Sequence, residues 1–227
     1  MGGHPSCVEE GRVSRKPSAT KSTSKKPKPS QAGSAEHVFE KRIWMVRHGQ
    51  YDELPENGYD LTALGREQAH RVGEALLGAN IDAVFSSTMA RAKTTAKIMV
   101  NARPVKAVRG LSECLPTAVP GYPVAASEAR ENRKRLDRAF AQFFSAPKKN
   151  RTDLLVCHGN VIRYFVCKAL GIPVETWIRL AIHHCSITEF RVRSNGKVYL
   201  ISYNETRHLP PGMRTTSHAA KALQRAN

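Results

Sequence analysis

The stretch Ile43-Trp44-Met45-Val46-Arg47-His48-Gly49 decides the fold. Four apolar residues in a row, closed by a polar triplet that ends in glycine, read as a buried strand running into a loop. Outward from it, strand and helix alternate. Thr62 opens a helix to about residue 78; Leu64, Ala69, Val72, Ala75 and Leu76 give it one apolar stripe, and Thr62 is its N-cap. Residues 82–86 form a second strand, 89–101 a second helix and 105–108 a weak third strand. A Pro-rich loop and a helix over 127–145 lead to the strand Leu154-Leu155-Val156-Cys157, then to a helix over 161–170. Segments 186–192 and 198–203 alternate with period two around Asn195-Gly196, the mark of a closing hairpin. Strands alternating with helices predict an α/β three-layer sandwich, a mostly parallel sheet flanked by helices. The chain shows no internal repeat.

Composition sets the outer limits. The 227 residues, 41% hydrophobic and 24% charged, fit one globular domain with polar ends. No apolar run approaches the ~20 residues of a membrane-spanning helix. The five cysteines (7, 114, 157, 167 and 185) are odd in number and form no C-x-x-C pair, which argues against a disulfide framework or thiolate zinc site and for a reducing compartment. The formal charge is +17, and residues 36–227 alone hold 29 basic against 17 acidic side chains. That field attracts phosphate, nucleic acid or anionic lipid without choosing among them. Aromatic residues make up 7% and show no base-stacking pattern, so a nucleic-acid partner is not expected.

Three regions follow. Residues 1–36 are a basic, Ser- and Pro-rich leader that cannot bury enough surface to order itself. Met1-Gly2-Gly3-His4-Pro5-Ser6 matches the acceptor pattern for myristoylation at Gly2. Cys7 is a candidate palmitoylation site, and Lys21, Lys25, Lys26 and Lys28 offer a polybasic second signal. Two signals anchor stably, so the cytoplasmic face of a membrane is the expected location. An organelle presequence is the alternative reading of the same leader. Residues 37–208 form the domain, and 209–227 a basic C-terminal tail.

In such sheets ligands sit outside the carboxyl ends of the strands. The first strand ends in Arg47-His48-Gly49, the second in Ser86-Ser87 with Arg91 beyond it, and the fourth in His158-Gly159; the loop after the third carries Glu113. Two histidines, two arginines and one carboxylate at one edge suit phosphoryl transfer through a histidine. A neutral imidazole nitrogen attacks phosphorus, guanidinium forks match the phosphoryl oxygens, and a carboxylic acid of raised pKa protonates the leaving alkoxide. Glycine after the nucleophile would let backbone N–H groups approach the phosphate. The set supplies its own charge and calls for no metal or cofactor.

Arg47-His48-Gly49, Leu61-Thr62-Ala63-Leu64-Gly65-Arg66-Glu67-Gln68-Ala69, Ser86-Ser87 with Arg91-Ala92, and Cys157-His158-Gly159 together resemble the histidine phosphatase superfamily, also called phosphoglycerate-mutase-like. Arg47-His48-Gly49-Gln50-Tyr51, Asn160-Val161-Ile162-Arg163-Tyr164, Trp177-Ile178-Arg179-Leu180, Ser186-Ile187-Thr188 and Leu209-Pro210-Pro211 are similar to its branch of mitochondrial serine/threonine protein phosphatases. The resemblance spans roughly residues 43–215. It implies His48 as nucleophile, Arg47, Arg91 and His158 as phosphate-binding residues, and Glu113 as proton donor. It also implies a phosphoprotein substrate, a phosphohistidine intermediate and a mitochondrial location as alternative to the acylated membrane face. A homodimer is compatible with it. Trp44 and Trp177 are the only tryptophans, and neither begins the Trp-Asp-rich assembly motif of that branch.

Other readings stay open. Cys157 and Arg163 have the Cys-x5-Arg spacing of a thiolate phosphatase loop, although the simpler assignment makes Cys157 a buried strand end and Arg163 a helix-surface residue. A phosphoglycerate mutase or small-molecule phosphatase would use the same set, and a non-catalytic phosphate-binding scaffold would retain it passively. The short loop 54–60 and modest loop 116–127 leave the pocket open, which favours hydrolysis and large substrates. His183-His184-Cys185 are adjacent and poorly spaced for one metal ion, so a structural role is expected of them.

Overall fold

The computed structural model describes residues 38–52, 58–101, 103–119 and 123–216. The leader with Gly2 and Cys7, the end of the C-terminal tail, and parts of the loops 54–60 and 116–127 lie outside the described residues. The elements are β1 (Glu40–Arg47), α1 (Ala63–Ala75), β2 (Ala83–Ser86), α2 (Ala90–Val100), β3 (Val105–Ala107), α3 (Ala126–Phe143), β4 (Arg151–Cys157), α4 (Gly159–Leu170), β5 (Ile187–Arg193) and β6 (Val198–Glu205). They build one six-stranded sheet in the order β3-β2-β4-β1-β5-β6. β1, β2, β3 and β4 run parallel, while β5 and β6 join as the predicted antiparallel hairpin.

Strand alternation divides the core into two layers. Ile43 and Met45 of β1 face one side with Leu155 and Cys157 of β4, packing on Phe143 of α3 and Phe165 of α4. Val46, Leu154 and Val156 face the other side, against Ala69 and Val72 of α1 and Ala92 and Ala96 of α2. Burial on both faces is why β1 and β4 read as continuous apolar runs instead of alternating ones. Among the described residues, no helix is long and apolar enough to cross a membrane.

Register then fixes the working edge. Arg47 pairs with Cys157 across β1 and β4, and Ser86 pairs with Val156 across β2 and β4. The three parallel strands therefore finish side by side, and the residues after them share one rim. Segment 209–215, expected to begin a tail, instead packs on the domain: Leu209 is fully buried, and the Gln68 side-chain amide donates to the Met213 carbonyl (2.6 Å) and Thr215 Oγ1 (2.9 Å).

The loop after β1 lies directly on the first turn of α1. Thr62 caps that helix as its sequence predicts, Oγ1 accepting from the Gly65 N–H at 3.0 Å. Gly65 has no room for a side chain, because a Cβ there would collide with the Gln50 carbonyl; a Cβ on Gly49 would strike the Gly65 carbonyl in turn. These two glycines let two backbones touch just beyond His48. Gly65→Ala is expected to cost about 1–3 kcal/mol through overpacking and to cut activity by displacing the loop. Gly212→Ala, with open space around it, should stay within about 0.5 kcal/mol. Denaturant melts of both variants check this; equal stabilities would contradict the close approach.

Candidate active site

β1 delivers His48 to the rim with almost no exposed surface, and its backbone N–H donates to the Cys157 carbonyl at 2.9 Å. The imidazole Nδ1 lies 2.8 Å from the Gly49 carbonyl. A carbonyl only accepts, so Nδ1 carries the proton and Nε2 is left with its lone pair. Arg91, the second residue of α2, donates its Nε–H to that Nε2 at 3.3 Å. The same guanidinium stacks over the Tyr51 ring at 4.5 Å.

His158 follows β4 as the N-cap of α4, which begins two residues earlier than its apolar pattern suggests. Its ring centroid lies 5.0 Å from that of His48. His158 Nε2 is 2.8 Å from Ser87 Oγ, whereas its Nδ1 has no partner among the described residues. Arg47 donates Nη1–H to the Ile182 carbonyl at 2.9 Å, and its Nε–H is likewise unpartnered. Buried polar groups are almost always satisfied, so two unpaired nitrogens on residues beside His48 suit the binding of an anion.

Glu113 comes to the same rim on the loop after β3. The residue is partly exposed, yet its carboxyl is enclosed; burial raises its pKa against the lowering pull of Arg47 and Arg91. Its Oε1 accepts from the Cys114 N–H at 3.1 Å. Asn160 braces this loop by donating to the Cys114 carbonyl at 3.2 Å, and Arg163 braces Asn160 by an Nη1–H bond to its Oδ1 at 3.2 Å. Burial, the neighbouring His158 and His184 imidazoles, and the charges of Arg47 and Arg91 hold the His48 pKa well below its usual value. Burial and Arg91 and Arg47 do the same to His158. Burial brings even Arg47 down to about 10, despite the opposing pull of Glu113. His48 is therefore a neutral base among cations.

The five predicted residues thus stand together. Two expectations need correction. Arg163 is buried, with Nε donating to the Leu180 carbonyl at 2.6 Å, because α4 is enclosed nearly all round and has no free face for it. Gly49 serves the Gly65 contact, and its N–H is already committed to Thr95 Oγ1 at 3.0 Å, so it offers no donor to a phosphate. His184 also lies beside the site, its ring centroid 5.6 Å from that of His48. Residues 136 positions apart meet there because β5 runs antiparallel beside β1, and no local pattern signals it. Burial raises the Cys157 thiol far above its usual value, the opposite of a reactive thiolate. Among the described residues, Cys114, Cys157, Cys167 and Cys185 are free, and no cluster of three or more His, Cys, Asp or Glu is placed to hold a metal ion.

A buried imidazole lone pair facing the Arg91 guanidinium, at the carboxyl edge of parallel strands, suits an α/β phosphate-handling enzyme. Residues 43–132 and 117–206 match the Histidine phosphatase superfamily (branch 1). The chain belongs to that family and is a histidine-type phosphatase. It is 35% identical over 206 residues to the Caenorhabditis elegans "Serine/threonine-protein phosphatase Pgam5, mitochondrial", covering 81% of this chain and 72% of that protein. The fold matches an Entamoeba histolytica phosphoserine phosphatase crystallised with 3-phosphoglyceric acid (TM-score 0.61, 21% identity, 75% of this chain and all of that one). It also matches a Plasmodium falciparum phosphoglycerate mutase (TM-score 0.54, 28% identity, 79% of this chain and 99% of that one).

The neutral histidines carry a stability consequence. His48, His158 and His184 are each held well below the ordinary 6.5. Between that lowered value and about 6.5 the unfolded chain binds the extra proton, so stability is whole above about pH 6.5 and falls as acid is added, by up to about 1.4 kcal/mol per pH unit for each histidine. The raised Glu113 works the other way above about pH 4.5 and offsets part of the fall. Thermal melts should drop steeply from about pH 6.5 to 5.5, and less steeply in His48→Gln. A melting temperature flat across that window would contradict the burial of neutral imidazoles.

Proposed function

We propose that the chain hydrolyses phosphoserine and phosphothreonine on proteins through a phosphohistidine at His48, with Glu113 as proton donor and Arg47, Arg91 and His158 binding the phosphoryl group. The observation that carries the reading is the fixed tautomer of His48, with Nδ1–H on the Gly49 carbonyl and the Nε2 lone pair facing Arg91. In the first step Nε2 bonds to phosphorus as the ester P–O bond breaks, and the leaving alkoxide takes the Glu113 proton. In the second, water attacks phosphorus, Glu113 carboxylate takes its proton, and the P–N bond breaks to release inorganic phosphate and neutral His48. Arg91, His158 and Arg47 Nε–H stabilise the oxygens through both steps; removing one such donor typically costs 10²–10³-fold in rate.

Two features favour a large substrate. A groove of about 810 Å³ is lined by Thr88, Arg109, Ser112 and Arg135. Two of its lining residues are chain neighbours of the site: Thr88 follows the Ser87 that touches His158, and Ser112 precedes Glu113. The name of the nematode relative supports both a protein substrate and a mitochondrial location. The acceptor pattern at Gly2 supports attachment to a membrane surface, and residues 37–208 are proposed to bear the activity.

Quenched reaction with labelled phosphoserine peptide should yield an acid-labile, base-stable adduct mapping to His48. Glu113→Gln should slow the peptide about 10²–10⁴-fold, the usual worth of a general acid, and p-nitrophenyl phosphate far less, because nitrophenolate leaves without a proton. An adduct on Cys157, or equal slowing of both substrates, would contradict these roles.

A further inference from the structure

His184 is nearly fully buried, yet its Nε2 has no hydrogen-bond partner among the described residues. It sits within the site, its ring centroid 5.6 Å from His48 and 6.4 Å from Tyr51. A relay of hydrogen bonds points to the nitrogen that carries its proton. The Gln50 N–H donates to Gln68 at 2.8 Å, which identifies that atom as Oε1 and makes the other end of the amide the donor. Gln68 Nε2 then donates to the Met213 carbonyl at 2.6 Å and to Thr215 Oγ1 at 2.9 Å. The Thr215 hydroxyl keeps its own hydrogen, and His184 Nδ1, 2.9 Å away, is the acceptor the structure places within its reach. Nδ1 accepts, so in the neutral ring Nε2 bears the proton. The backbone reinforces this placement, since the His184 N–H donates to the Thr215 carbonyl at 2.9 Å.

We propose that His184 is a third imidazole of the phosphoryl site, whose Nε2–H donates to an oxygen of the phosphoryl group carried by His48, and that Thr215 is the positioning residue that sets its tautomer. This rests on the phosphohistidine reading above. A donor N–H bonds oxygen at ~2.9 Å, so one phosphoryl group spans the gap between the two rings. Neutrality is held by burial and by Arg47, which leaves the ring a hydrogen-bond donor that adds no further charge beside the nucleophile. The arrangement also makes segment 213–215 part of the active site: through Gln68 and Thr215 the C-terminal strap reads directly onto the phosphate cradle.

The test is inhibition by inorganic phosphate of p-nitrophenyl phosphate hydrolysis, measured in the full chain and four variants. A hydrogen bond to a charged oxygen corresponds to about tenfold or more in affinity. His184→Leu should raise the phosphate inhibition constant by that factor. Thr215→Val, which leaves the ring in place but frees its tautomer, should raise it about three- to tenfold, and Thr215→Ser should restore it. If His184→Leu does not fold, the Thr215 pair decides alone. Phosphate inhibition unchanged within twofold in active His184→Leu and Thr215→Val, or weakened alike in Thr215→Val and Thr215→Ser, overturns the inference while leaving the parent reading intact. Hydrolysis of p-nitrophenyl phosphate that survives His48→Ala overturns the parent reading, and this inference with it.

Discussion

The hydrogen bond from His48 Nδ1 to the carbonyl of Gly49 organises the site. It fixes the ring, fixes the tautomer, and turns the one remaining lone pair toward Arg91. A bond between a side chain and the next residue's own carbonyl needs that carbonyl held in place from elsewhere. The contact of Gly49 and Gly65, the Gly49 N–H bond to Thr95 and the Gln50 N–H bond to Gln68 supply the hold. Each comes from α1 or α2, so the helices on that face of the sheet are as much a part of the site as the strands.

Burial does the complementary electrostatic work. An imidazole beside two guanidinium groups in water would titrate near its usual value with modest depression. Enclosed here, with His158 and His184 also adjacent, it stays neutral where a solvated histidine would begin to protonate. The same enclosure acts on Glu113 with the opposite sign, favouring the protonated acid. One physical cause, desolvation, thus prepares a base that is free and an acid that is charged with a proton, which is the pairing phosphoryl transfer to and from histidine needs.

The strand ends were readable because buried parallel strands leave continuous apolar text that stops where the loop begins, as at Val46 and Cys157. The N-cap at Thr62 and the hairpin turn at Asn195-Gly196 were readable for similarly local reasons. Arg163 was not: α4 buries almost every residue from Gly159 to Cys167, so helical periodicity gives no way to tell an inward arginine from an outward one. Nor was His184, whose neighbours arrive by sheet pairing across the domain. The buried strap after Leu209 was missed because a short, Pro-rich segment carries no periodicity at all. Of the five residues named from the sequence, Arg47, His48 and His158 sit at strand ends, and Arg91 and Glu113 on the segments that follow β2 and β3; what was hidden came from the approach to β5, from the interior of α4 and from the C-terminal strap.

The central claim is that His48 is neutral, with Nδ1 protonated and Nε2 bare, in the resting protein. Long-range ¹H–¹⁵N correlation spectra of histidine-labelled protein measure this directly. At about pH 6, just below the ordinary histidine midpoint, His48 should show the Nδ1–H pattern with an unprotonated Nε2. An imidazolium pattern there, or the Nε2–H tautomer, would contradict the account.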